Sequence, residues 1–147
     1  EALIDSYLIF KANRYDIKGK EYLRTLGKYY IADVGLRNYL LGIRDRDRGH
    51  IIENIVYLEL LRRGYKVTIG KVNGYEIDFV ARKTNKKLYI QVSYLLASDE
   101  TIEREFRPLL KIKDNYPKFV VSLDNFDFSQ KGITHFNIID FLLEDCY

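Results

Sequence analysis

The sequence predicts an α/β fold, with a mixed β-sheet flanked by helices in the order α-β-β-β-α-β. Three observations predict it. Three runs between residues 65 and 94 alternate polar and apolar residues and are separated by turn signals at Val72-Asn73-Gly74 and residues 84–87. A helix-period segment at residues 50–63 precedes them, with Ile51, Ile52, Ile55, Val56 and Leu58 on one broad apolar face and Gly64 as its stop. A second helical segment follows, and after it the apolar run Phe119-Val120-Val121-Ser122-Leu123 reads as a buried strand.

The elements follow in order. Residues 6–12 and 28–32 are strand-like runs around a polar, glycine-containing connection at residues 16–21, the pattern of a long hairpin or of the wing of a winged helix. Asp33 opens a short helix that Gly42 ends. The charge-alternating connector Arg44-Asp45-Arg46-Asp47-Arg48-Gly49 then separates residues 1–47 from 48–147. A lone hairpin is marginal in water, so the first region is expected to pack on the second or on something outside this chain, and to leave apolar surface. In the second region, strands are expected at residues 65–69, 75–81 and 88–94. Ser98 caps a helix running from residue 99 towards 113 that Pro108 bends, a last strand lies near 133–136, and a terminal helix near 138–143.

With 147 residues, 47% of them hydrophobic, the chain can bury one substantial core. No apolar run approaches the roughly 20 residues that cross a bilayer, and no signal-peptide pattern opens the chain. The lone Cys146 fits a reducing compartment, so the cytoplasm is the expected location. The absence of methionine points to a piece of a longer protein. The net charge is +3, and residues 1–50 carry the whole surplus. There, Lys11, Arg14, Lys18 and Lys20 stand among tyrosines, a pattern suited to a phosphate backbone or an acidic protein surface and equally to an ordinary solvated face. No cysteine pair joins the two histidines, and Gly-x-Ser-x-Gly is absent.

The chemistry concentrates in Tyr75-Glu76-Ile77-Asp78-Phe79-Val80 and Leu88-Tyr89-Ile90-Gln91-Val92-Ser93. Alternation places Glu76 and Asp78 on one face of their strand, and Gln91 and Ser93 on one face of the next. An aspartate on one strand, a carboxylate-x-lysine on its neighbour and a carboxylate on the preceding helix form the layout of a metal-dependent nuclease site. Here the second strand reads Gln-x-Ser. On the helix, Glu53 lies towards the edge of the apolar face, where it can reach the Asp78 strand. Glu59 lies near the middle of that face, and is expected to be a buried carboxylate bonded to a backbone donor or an arginine.

The stretch from Gly49-His50-Ile51-Ile52-Glu53 to Arg62-Arg63-Gly64-Tyr65, with Glu76-Ile77-Asp78-Phe79-Val80, Tyr89-Ile90-Gln91-Val92-Ser93, Thr101-x-x-Arg104-Glu105-Phe106 and Asp114-Asn115-Tyr116-Pro117-Lys118, resembles the C-terminal domain of prokaryotic AAA-superfamily ATPases. Tyr29-Tyr30-Ile31-Ala32-Asp33-Val34-Gly35-Leu36-Arg37 resembles the segment after the winged-helix region of the same proteins. The resemblance covers nearly the whole chain. It implies a PD-(D/E)XK, restriction-endonuclease-like core, with an ATPase and most of a winged helix upstream as partners. ATP would then act only through that upstream part, since this sequence holds no Gly-x-x-x-x-Gly-Lys-Ser/Thr loop.

The resemblance also assigns positions. Asp78 matches the aspartate, Gln91 replaces the second carboxylate, Val92 supplies the carbonyl, and Ser93 replaces the lysine. The spacing from Glu53 to Gly64 resembles that of archaeal Holliday-junction resolvases, whose glutamate helps to hold the metal. Two readings stand open. In one, the degenerate site needs no cofactor and the domain recognises DNA or a protein, as a monomer or a homo-oligomer. In the other, Glu53, Glu76 and Asp78 hold Mg²⁺ for a working nuclease, with a lysine drawn from elsewhere such as Lys118 or Lys87.

Overall fold

A computed structural model describes residues 2–42 and 44–144; Cys146 lies outside them. The chain runs α1 (Ala2–Asp5), β1 (Ile9–Ala12), β2 (Arg14–Asp16), β3 (Glu21–Tyr22), β4 (Lys28–Ile31), α2 (Val34–Leu41), α3 (Arg48–Arg62), β5 (Lys66–Val72), β6 (Tyr75–Lys83), β7 (Lys86–Val92), α4 (Asp99–Leu110), β8 (Lys118–Ser122), β9 (Thr134–Asn137) and α5 (Ile138–Leu143). Seven strands form one mixed sheet in the order β3-β2-β5-β6-β7-β8-β9. The β5–β6–β7 meander is antiparallel, while β7, β8 and β9 run parallel.

The expected α/β architecture is therefore present, with the Asp78 and Gln91 strands as neighbours. The Asn73-Gly74 turn joins β5 to β6 with φ of 48° and 85°, the left-handed pair that a two-residue hairpin requires. Asp33 caps α2 by accepting from the Leu36 amide, and Gly42 ends it at φ 74°. Ser98 caps α4 through the Thr101 amide. That helix ends at Leu110, short of the expected residue 113. Pro108 lies inside its last turn, and the chain leaves the helix through tight bonds from the Lys111 amide to the Pro108 carbonyl and from the Ile112 amide to the Leu109 carbonyl.

Helices cover both faces of the sheet. On one, Ile52, Val56, Tyr57 and Leu60 of α3 pack with Ile138 and Phe141 of α5 over Phe79, Ala81, Leu88 and Ile90. On the other, Phe106 and Leu109 of α4 pack over Ile77, Val80, Tyr89 and Val120. Side chains as fully enclosed as Phe79 each contribute about 1.5–3 kcal/mol through apolar burial.

The first region departs from the expected simple hairpin. β1 and β4 do pair antiparallel, Ile9 opposite Ile31. The segment between them, however, is more than a connection. β2 leaves the hairpin and pairs parallel with β5, and β3 folds back on β2, so both extend the main sheet. Such short strands are invisible to alternation, and parallel pairing with a strand more than fifty residues away leaves no local signal.

Candidate functional site: a lysine inside a carboxylate cluster

One irregularity of the sheet builds the site. Between the pairs Thr68–Val80 and Gly70–Ile77, the single residue Ile69 faces two residues of β6, Asp78 and Phe79. This β-bulge turns both side chains to the α3 face, where Phe79 packs against Tyr30 and Tyr57 and Asp78 points among charged groups. Gly70 permits the close approach. A Cβ there would lie 2.7 Å from Val80 Cγ2 and 2.9 Å from both Ile17 Cδ1 and Ile77 Cβ.

Just before the bulge, β6 and β7 part. Their ladder begins at Phe79–Ile90, and side chains close the gap beyond it. The Val92 amide donates to Asp78 Oδ2 at 2.9 Å, and the Asp78 amide donates to Gln91 Oε1 at 3.4 Å. Gln91 Nε2 turns the other way, donating to Glu105 Oε2 of α4 at 3.1 Å. Glu105 is buried and paired with Arg104, with Nη2–Oε1 at 2.8 Å. Ser93 is buried too, and its hydroxyl donates to the Leu95 carbonyl rather than facing Asp78.

The centre of the cluster is a residue that the sequence placed only at the start of the strand-like run 28–32. Lys28, at the start of β4, sets its Nζ 3.0 Å from Glu53 Oε1, 2.9 Å from Glu76 Oε1 and 3.6 Å from Asp78 Oδ1. Tyr30, two residues on and stacked on Tyr57 at 4.1 Å, donates its hydroxyl to Glu53 Oε1 at 2.6 Å. Asn54 anchors this strand to α3. Its carboxamide accepts from the Ile31 amide and donates to the Ile31 carbonyl, both at 2.9 Å, as a neighbouring strand would. The candidates Glu53, Glu76 and Asp78 are thus brought together around one ammonium.

Electrostatics follow from that geometry. Burial alone would lower the Lys28 pKa, but Asp78 and Glu53, with hydrogen bonds to Glu76 and Glu53, hold it well above its ordinary value. Burial and then the Glu53 carboxylate push Asp78 up to about 7, against the pull of Lys28. Burial works against the charge on Glu76 as well, yet Lys28 and Arg14 outweigh it and hold the pKa below the usual range.

The other candidates lie elsewhere. Lys118 and Lys87, the expected sources of a migrated lysine, both bind Asp114 and are spent there. Arg14, expected at a nucleic-acid surface, instead pairs with Glu76 and donates to the Leu26 carbonyl at 2.9 Å. Lys11, Lys18 and Lys20 are exposed. Glu59 is the buried, arginine-bound carboxylate expected: Arg62 donates to both its oxygens, and Arg63 bridges it to the Phe141 carbonyl of α5. Among the described residues, no group of three or more His, Cys, Asp or Glu is arranged to hold a metal ion. The oxygens suit Mg²⁺, but an ammonium holds the position between them and Gln91 is committed to Glu105. The residues do not fit the ion while Lys28 stays in place.

Fold and site together define an α/β domain carrying a partly buried carboxylate–lysine cluster at a parting of two strands. The chain is 41% identical over 145 residues to an uncharacterised protein of Haemophilus influenzae, covering 98% of this chain and 36% of that protein. It is 39% identical over 119 residues to an uncharacterised protein of Methanocaldococcus jannaschii, covering 78% of this chain and 26% of that one. The chain thus spans about a third or less of the length of these curated relatives. No family model and no solved structure matches it. No helix among the described residues is long and apolar enough to cross a membrane.

Proposed function

We propose that this chain is a PD-(D/E)XK-like domain of a larger AAA-superfamily ATPase, with a self-neutralised site that serves recognition rather than cleavage. The observation that carries this reading is Lys28 Nζ within 3.6 Å of Glu53, Glu76 and Asp78. The Lys28 ammonium, together with the Arg14 guanidinium on Glu76, supplies the two positive charges that a divalent cation would bring. Gln91 brings no anion to the set, and the Ser93 hydroxyl serves the backbone. The share of each relative left unmatched leaves room for the upstream domains that the resemblance implies.

The same cluster favours a second reading. Three carboxylates and a lysine at the parting of two strands are the groups a Mg²⁺-dependent nuclease needs, once Lys28 swings off the carboxylates to serve as the displaced lysine. One experiment separates the two. Under the first reading, Mg²⁺ and Mn²⁺ leave the thermal midpoint unchanged and plasmid or branched DNA stays intact, whereas Lys28→Ala creates metal-dependent stabilisation by freeing the carboxylates. Cleavage by the unmodified chain, abolished in a folded Asp78→Asn variant, establishes the nuclease instead.

A further inference from the structure

A second charged feature lies outside the carboxylate cluster. The β2–β3 turn, the β5–β6 turn and the segment after α4 enclose a hollow of about 410 Å³. Lys18 and Lys20 stand on one rim, Lys111 and Lys113 on the other. All four side chains are exposed, and none has an acidic partner among the described residues. Asp114, the carboxylate beside them, is already engaged by Tyr89, Lys87 and Lys118. The floor is apolar, since Ile17, Val72 and Ile112 are each at most 9% exposed.

The rims are held in place. Asp16 Oδ1 accepts from the Lys18 and Gly19 amides, fixing the turn that carries Lys18 and Lys20. The Ile17 amide donates to the Lys71 carbonyl, tying that turn to β5. Four ammonium groups around one hollow repel one another unless an anion shares them. A floor of aliphatic side chains between cationic rims suits a ligand with apolar faces and regularly spaced phosphates.

We infer that this cleft binds single-stranded nucleic acid, its phosphates against Lys18, Lys20, Lys111 and Lys113 and a splayed base on the Ile17–Val72–Ile112 floor. A duplex keeps its bases stacked inside and offers the floor nothing, so the unpaired strand is the form that uses both features. The cleft lies on the α4 face of the sheet, whereas the carboxylate cluster opens on the α3 face. The inference deepens the recognition reading and rests on it, naming the partner.

Fluorescence anisotropy of the full chain with a labelled mixed-sequence single strand, across a salt series, tests it. The variants Lys111→Glu/Lys113→Glu and Lys18→Glu/Lys20→Glu should each weaken binding by about tenfold or more. Each should also lower the slope of log K against log salt by about 1.4, two contacts at about 0.7 apiece. Arg46→Gln, in the connector before α3 and outside the lining of the cleft, should leave binding unchanged. If a charge reversal unfolds the chain, the glutamine variants of the same pairs carry the test. The inference is overturned if the unmodified chain binds no strand, if the cleft variants bind as it does, or if duplex or inorganic polyphosphate competes as well as the single strand. DNA cleavage with Mg²⁺ sinks the recognition reading instead, whatever the cleft variants do, so the two failures are distinct.

Discussion

Lys28 and Asp78 carry the site, and they differ in how far the sequence disclosed them. Asp78 was legible because alternation within one strand fixes its face. Lys28 was not, because its partners lie 25 or more residues later and meet it only through the pairing of β4 with β1 and the grip of Asn54 on Ile31. Asp78 also gives a pH dependence. With its pKa raised from 3.8 to about 7, the folded chain holds a proton there that the unfolded chain has released. This contribution to stability is complete below about pH 3.8 and is lost as pH rises through about 7. Asp78→Asn should therefore flatten the fall in the urea midpoint between pH 5 and pH 8. A fall as steep as that of the unmodified chain would place the proton on another group.

Among the elements, the meander was legible and its irregularity was not. The Asn73-Gly74 turn and the period-two runs on either side specify β5, β6 and β7 locally. The bulge at Asp78 and Phe79 depends on how β5 lies against β6, and only Gly70, a residue of low strand propensity inside an apolar run, marks it in the sequence. Gly70→Ala should cost about 1–3 kcal/mol, because the added methyl meets three side chains at 2.7–2.9 Å and the closest belongs to the packed core. Denaturant unfolding measures the loss. An Ala variant as stable as the unmodified chain would show that the sheet opens there without strain. β2 and β3 were hidden for a related reason: three and two residues are too few to show a period.

At the scale of the molecule, exposed apolar side chains gather in the first third. Tyr7, Leu26, Tyr39 and Leu40 are 74%, 84%, 86% and 65% exposed, and α2 buries none of its residues. Surface of this kind favours association. Sedimentation velocity should show mass rising with concentration, and Leu40→Lys with Tyr39→Lys should reduce it; a strict monomer at every concentration would contradict this. Despite that loose exterior, the two sequence regions are not separable units. β2 completes the sheet from one side, and Lys28 and Arg14 are the cations of a cluster whose carboxyl groups all belong to the other. Severed between residues 47 and 48, the chain would yield one fragment with an unmatched ammonium and one with an unmatched nest of carboxylates. The severed halves would act as lock and key for each other, and their reunion should be strongest at low ionic strength, where unlike charges attract across the longest range.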